Sequence, residues 1–205
     1  MKEPAREGLL VDGTGAPLAA EDSGSVELPD GTSIAYHAIA PDNASALQRF
    51  HHRLSKRSIY LRFFAAKPEL SDREAGYFTN LDGMNRFALV AVDPERPQEI
   101  IGVVSFDGEG TSERAEYAAE VEDRWQGRGL GLALTRRLIE AALKRGVRSF
   151  TGIVLPENTR MLHLLRDLGL PERLRYEDGT DYVEIDLSPP QNTSDRSAEA
   201  SDPQG

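Results

Sequence analysis

Cysteine is absent from the 205-residue chain, which removes a disulfide framework, a thiolate metal site and a cysteine nucleophile from consideration. Long apolar runs are missing too. No stretch approaches the roughly 20 residues that span a bilayer, and the first residues lack the apolar core of a signal peptide. These absences predict a cytoplasmic protein. Positive charge is in deficit, with 24 Lys and Arg against 34 Asp and Glu and a formal net charge of −10. Without a basic run the chain lacks what neutralises nucleic-acid phosphates or docks on an anionic membrane, so small molecules and proteins remain as partners. Histidine is scarce, at four residues. His51 and His52 are adjacent and cannot ligate one metal from one helix face, and no Ser, His and Asp grouping suggests a hydrolase. No metal is expected.

What is present suits one globular domain with tails. The net charge is about −5 in residues 1–30, about −2 in 188–205 and about −3 between them. Residues 1–27 form an acidic N-terminal segment without periodicity, and 188–205 are almost wholly polar; both are expected to be disordered tails. The body, 28–187, carries the pattern. Ser33 to Ile39 alternate as a strand, and Pro41-Asp42-Asn43 opens a helix with Leu47, Phe50 and Leu54 on one face. Ser58 to Phe64 read as a loop. Ser71 to Glu74 have capping-box spacing and start a helix through Phe78. Three β-rich runs, 86–92, 100–106 and 115–121, form an antiparallel meander joined by turn signals. Gly129 to Arg145 is the clearest helix, with Leu130, Leu134, Leu138 and Ala141 in one stripe and Gly146 as its stop. Residues 148–155 read as a buried strand, Asn158 to Leu168 as a helix ended by Gly169, and 173–176 with 182–187 as a hairpin around Asp178-Gly179. The class is α+β.

Chemistry concentrates at Gln126-Gly127-Arg128-Gly129-Leu130-Gly131, between a strand and the strongest helix, where exposed N–H groups and the helix dipole favour a phosphate. A Walker A loop would end in Gly-Lys-Ser/Thr, and a dinucleotide fingerprint would have glycine where Leu132 stands. Neither nucleotide motif is present.

Val121 to Gly131, VEDRWQGRGLG, resembles motif A of the GNAT N-acetyltransferases, Gln/Arg-x-x-Gly-x-Gly/Ala after the fourth strand. The order of elements from about residue 26 to 187 is similar to that family's, as is ENTRMLHLLRDLGL to its later Asn-containing helix. The resemblance implies a central, mostly antiparallel twisted sheet flanked by helices, split as a V between the fourth and fifth strands, with acetyl-CoA in the V. It implies that Gln126, Gly127, Arg128, Gly129, Leu130, Gly131 and Leu132 hold the pyrophosphate, that Ala119, Glu120 and Val121 pair by backbone with the pantetheine amides, and that Asn158 bonds the pantetheine arm. A side chain at Gly129 or Gly131 is expected to push the phosphates off the amides.

A lysine amine with pKa near 10.4 is free at neutral pH only about once in a thousand, a handicap of roughly 4 kcal/mol, so a base is needed. Where many family members have Glu five residues before the Asn, this chain has Ile153, and where they have a tyrosine acid it has Leu165. Ala115-Glu116, however, is similar to the Ala-Glu of lysine-modifying members, which makes Glu116 the candidate base. On a regular strand Glu116, Ala118, Glu120 and Glu122 share one face, and register decides which carboxylate enters the cleft. Arg57 to Phe64, RSIYLRFF, resembles the Ser-x-Tyr-x-Arg-Phe-Phe segment of Pat-type bacterial protein lysine acetyltransferases, which acetylate AMP-forming acyl-CoA synthetases. By that resemblance Tyr60 and Arg62 meet the substrate. Such enzymes often carry a regulatory domain, and 205 residues lead us to expect the catalytic domain alone. The expected function is acetyl-CoA-dependent lysine N-acetylation by direct attack, with the oxyanion held by a backbone N–H near Val121. A small-amine acetyltransferase and a non-catalytic acyl-CoA sensor are the alternatives.

Overall fold

The computed structural model describes residues 22–188; of the expected tails, 1–27 and 188–205, the parts 1–21 and 189–205 lie outside the described residues. The elements in chain order are β1 (Gly24–Glu27), β2 (Ser33–Ala38), a 3-10 turn (Pro41–Asn43), α1 (Ala44–Arg53), α2 (Lys56–Phe63), α3 (Asp72–Thr79), β3 (Arg86–Val92), β4 (Ile100–Gly108) and β5 (Arg114–Val121). A second 3-10 turn (Asp123–Trp125), α4 (Leu130–Lys144), β6 (Ser149–Val154), α5 (Thr159–Asp167), β7 (Glu172–Glu177) and β8 (Thr180–Asp186) follow. The eight strands form one open sheet in the order β1-β2-β3-β4-β5-β6-β8-β7. Every pairing is antiparallel except β5 with β6. The α+β class and the mostly antiparallel sheet flanked by helices are therefore as the sequence predicts.

Two elements correct the sequence reading. β1 lies inside the segment assigned to the N-terminal tail. It has only four residues, one of them buried, so alternation gives no signal; pairing supplies it, with Val26 opposite Ile34 and both buried. One strand added at the start makes the fourth and fifth strands of the sequence reading β5 and β6. Residues 56–63, read as a loop, are α2. Ile59 is its one buried residue, too little to make a periodic stripe. The helix is anchored from a distance instead: Ser55 and Ser58 donate from their hydroxyls to Asp123 Oδ1 at 2.7 and 2.9 Å.

Apolar packing lies on both faces of the sheet, as the period of two in β3 requires. Leu89 and Ala91 join the core under α4, where Leu130, Leu134, Leu138 and Ala141 are all buried. Val90 faces the other way, onto Leu47, Phe50 and Leu54 of the α1 segment and Ile59 of α2. The capping box on α3 forms as predicted, with Ser71 N–H donating to Glu74 Oε2 at 2.9 Å and Glu74 N–H to Ser71 Oγ at 3.3 Å. Among the described residues no helix is long and apolar enough to cross a membrane, and no three His, Cys, Asp or Glu gather into a metal-binding group.

Candidate active site

β5 and β6 run parallel and pair only through Arg114↔Ser149, Ala115↔Phe150 and Glu116↔Thr151. Beyond Glu116 they separate, and β6 turns to β8 for its remaining partners. A V-shaped split follows from the topology, because one strand feeds the glycine loop and α4 while its neighbour feeds α5. On its other edge β5 stays bonded to β4 up to Val121, and Glu122 N–H donates to Ile101 O at 2.9 Å. Backbone groups alternate along a strand, so Glu120 directs its backbone toward β4, and Ala119 and Val121 direct theirs into the split. This corrects the expected set of three: Glu120 can meet a ligand there by its side chain rather than by its amide. Gln126 Nε2 donates to Val121 O at 2.8 Å and to Ser58 Oγ at 3.2 Å, while its Oε1 accepts from Arg160. Gln126 is thus the brace that ties the loop to β5, α2 and α5.

The loop itself leaves backbone amides unused by the helix. Ala133 N–H is the first to join the helical ladder, donating to Gly129 O at 3.0 Å, which leaves the preceding amides of the turn at the open end of α4. The glycines also have a cause within the protein. Gly129 has φ +88°, and a Cβ there would stand 3.0 Å from Pro29 Cδ; a Cβ on Gly131 would stand 2.9 Å from Leu164 Cδ1. The close neighbours are protein atoms, so the glycines first let the β1–β2 turn and α5 pack against the loop, and exposed amides are the result. Arg128 also departs from expectation. Its guanidinium bonds Asp30 Oδ2 at 2.6 Å and lies 4.2 Å from the Trp125 ring centroid, holding the loop onto the β1–β2 turn and away from the cleft. Leu130 is core, and its side chain is excluded from the site.

A cleft of about 760 Å³ fills the split, lined by Gln126, Gly127, Gly129, Gly131, Leu132 and Asn158 among others. That volume is within the range of small-molecule sites. Asn158 is first a helix cap, its Oδ1 accepting from Met161 N–H at 3.3 Å, so its Nδ2 is the group left for a ligand. Ile153 forms part of the wall and Leu165 is buried; the positions that lack the common Glu and Tyr hold apolar side chains in the structure. Tyr117 also faces the cleft, but its hydroxyl is tied to Thr135 Oγ1 at 2.7 Å, and burial holds the phenol well above its ordinary pKa. It is poorly suited to donate a proton.

On the opposite face of β5 is a second cavity of about 230 Å³ between the sheet, α2 and α3, with Phe63, Tyr77 and Phe78 in its wall. Five residues line both cavities: Arg62, Glu116, Ala118, Ala119 and Glu120. Glu116 and Glu120 therefore lie on one strand face, as the period of two predicts, with Glu116 exposed. Glu120 differs: its Oε1 is buried with no hydrogen-bond partner. Burial pushes its carboxyl up to about 7, with the Arg62 guanidinium pulling the other way. Arg62 is thus brought to the expected site. Tyr60 is not, for it sits 45% exposed on α2 and lines neither cavity. The sequence reading missed Ser58, Asp123 and Arg160 as braces because each acts through a partner distant in the chain, a link that spacing does not report.

Comparison with known proteins agrees with this geometry. The model of the Acetyltransferase (GNAT) family matches residues 39–170. The chain is similar to the GNAT domain of S. lividans PAT, with 34% identity, a TM-score of 0.76, and coverage of 82% of this chain and 98% of that one. It is 24% identical over 157 residues to an acetyltransferase of Pseudomonas aeruginosa, covering 76% of this chain and 84% of that protein. The fold is shared with yncA of Salmonella typhimurium, a putative acetyltransferase solved with acetyl-CoA. Identity there is 15% and the TM-score 0.60, over 77% of this chain and 96% of that one.

Proposed function

The chain belongs to the acetyltransferase (GNAT) family, and within that family we propose that it moves the acetyl group of acetyl-CoA onto a lysine side chain of a protein, an AMP-forming acyl-CoA synthetase being the candidate acceptor. The observation that carries this reading is the meeting of two cavities on one strand. The larger has the amide-rich loop of a phosphate binder, and the smaller has apolar walls that suit the methylene stem of a lysine, with carboxylates where they meet. The Arg57–Phe64 segment, which resembles Pat-type enzymes, takes on a physical role here. As α2 it joins the loop through Ser58 and Gln126 and reaches the meeting point through Arg62.

In this proposal the pyrophosphate of acetyl-CoA lies on the amides around Gly127 to Leu132, and the pantetheine runs along Ala119 and Val121 toward the narrow end of the V. The thioester then comes to rest near Ala118, within reach of the second cavity. The lysine nitrogen attacks the carbonyl carbon directly. Glu116 accepts the proton that the attacking nitrogen sheds, and the backbone N–H of Ala119, which faces the split beside the thioester, stabilises the oxyanion. The catalytic domain is residues 28–187 extended back to include β1, and it acts in the cytoplasm.

The test is peptide mass spectrometry of an AMP-forming acetyl-CoA synthetase after incubation with acetyl-CoA and either the wild-type chain or Glu116→Gln. A Glu116-dependent gain of one acetyl on a single lysine is the expected result. Acetylation of free polyamines with none on the synthetase would turn the assignment to a small-amine acetyltransferase. Tight acetyl-CoA binding with no transfer would turn it to an acyl-CoA sensor.

A further inference from the structure

Glu120 is half-buried, and it is the titratable group at the site for which neither the fold nor the proposed role of Glu116 accounts. Its Oε1 is buried with no hydrogen-bond partner, a desolvation cost that calls for an explanation in a native structure. It is also on the wall common to both cavities. Glu116 and Glu120 are four residues apart on an extended strand, so their Cα atoms are about 13 Å apart. The two carboxylates therefore command different stretches of an acceptor's path. Arg62 of α2 is the charged group acting on Glu120 from across the cavity. At the Glu116 end of the same sheet, Asp107 of β4 is the cross-strand partner of Glu116 and is paired with Arg86 of β3 at 3.0 Å, beside Tyr77 of α3.

We propose that Glu120 is a second catalytic carboxylate, which meets the acceptor's ammonium in the smaller cavity and takes a proton from it before the nitrogen reaches the thioester. This rests on the acetyltransferase reading above. Making an amide from an alkylammonium removes two protons from nitrogen, and the two carboxylates divide them. At Glu120 an N–H bond breaks, its electron pair stays on nitrogen, and the carboxylate becomes a carboxylic acid. The neutral amine moves on, its lone pair forms the C–N bond, and the C–S bond breaks with its pair leaving on the sulfur of CoA. The second proton, shed after attack, goes to Glu116. Glu116 is exposed and returns it to water, while the proton on Glu120 is lost when the cavity empties. The carboxyl of Glu120, pushed up to about 7, is matched to this work at neutral pH.

The experiment is kcat/KM from pH 6 to 10 for the full wild-type chain, Glu120→Gln and Glu116→Gln, with calorimetry of acetyl-CoA binding. The acceptor is the synthetase or, where the wild type prefers them, a polyamine. Glu120→Gln is expected to be down about a hundredfold at pH 7, to recover about tenfold per pH unit as solution supplies neutral amine, and to bind acetyl-CoA as the wild type does. Glu116→Gln is expected to stay low throughout. A Glu120→Gln chain with the wild-type profile overturns the inference, as does a uniform loss without alkaline recovery, which would mark Glu120 as a positioning residue. Either result leaves the protein-acceptor reading standing. Acetylation of polyamines alone overturns that reading and leaves the Glu120 profile to be decided on the polyamine.

Discussion

Pro29 closes over Gly129: the proline Cδ lies 3.0 Å from where a Cβ on Gly129 would stand, and Gly129 holds φ +88°. The β1–β2 turn and the glycine loop are about a hundred residues apart in the chain and meet at this contact, reinforced by Arg128 on Asp30.

Gly129→Ala is therefore expected to be costly twice over, through a left-handed backbone and through a clash with a rigid ring. We expect a loss of about 2 kcal/mol in urea unfolding and a weakening of acetyl-CoA binding by tenfold or more in calorimetry. Gly131→Ala meets only the end of the Leu164 side chain, which can rotate, and should lose less stability.

Stability should report the buried carboxyl of Glu120. In the folded chain it titrates near 7 and in the unfolded chain near its ordinary 4.5, so between those values the folded state binds more protons. Stability then falls as pH rises through that window. The difference corresponds to about 3 kcal/mol above pH 7. Glu120→Gln should unfold like the wild type at pH 4.5 and be more stable by about 2–3 kcal/mol at pH 8, measured by urea denaturation at the two pH values.

Removing Arg62 should move the same titration. The guanidinium lowers the carboxyl against the effect of burial, so Arg62→Ala should shift the rising limb of the kcat/KM profile to higher pH by about one unit. Arg62→Lys should retain most of the wild-type profile. An unmoved limb in Arg62→Ala would separate the two residues.

Asp22 carries a buried charge pair that anchors the start of the described chain. Its Oδ2 is 2.5 Å from Arg145 Nη2, with side-chain exposures of 6% and 2%, and the guanidinium also bonds Gly83 O at 2.7 Å and stacks 3.9 Å over Phe87. Asp22→Ala leaves a buried cation without its anion and should cost about 3 kcal/mol in thermal or urea unfolding. The double variant with Arg145→Met should recover part of the loss.

Elements that bury one face against a large surface were legible in the sequence. The Leu130, Leu134, Leu138 and Ala141 stripe, the three β-rich runs that became β3 to β5, and the Ser71–Glu74 box each encode their structure within a dozen residues, and they form as read. β1 and α2 were not legible, because each has one buried residue and takes its shape from partners elsewhere: Ile34 opposite Val26, and Asp123 under Ser55 and Ser58. At the site the glycine loop was legible as a strand-to-helix turn that leaves amides free at the start of α4, but its packing against Pro29 and Leu164 was not, since both are remote in sequence.

By itself, then, the sequence determined the class of fold, the family, the glycine turn before the long helix and the strand face on which carboxylates gather, because these depend on local spacing and periodicity. That Glu122 is buried in ion pairs with Arg53 and Arg124 while Glu120 keeps an unpartnered buried oxygen, that Arg62 reaches Glu120 and Tyr60 does not, and that Arg128 turns to Asp30 were decided by the tertiary structure. Desolvation and charge pairing depend on what packs against a side chain, and the packing partners come from segments that only folding brings together.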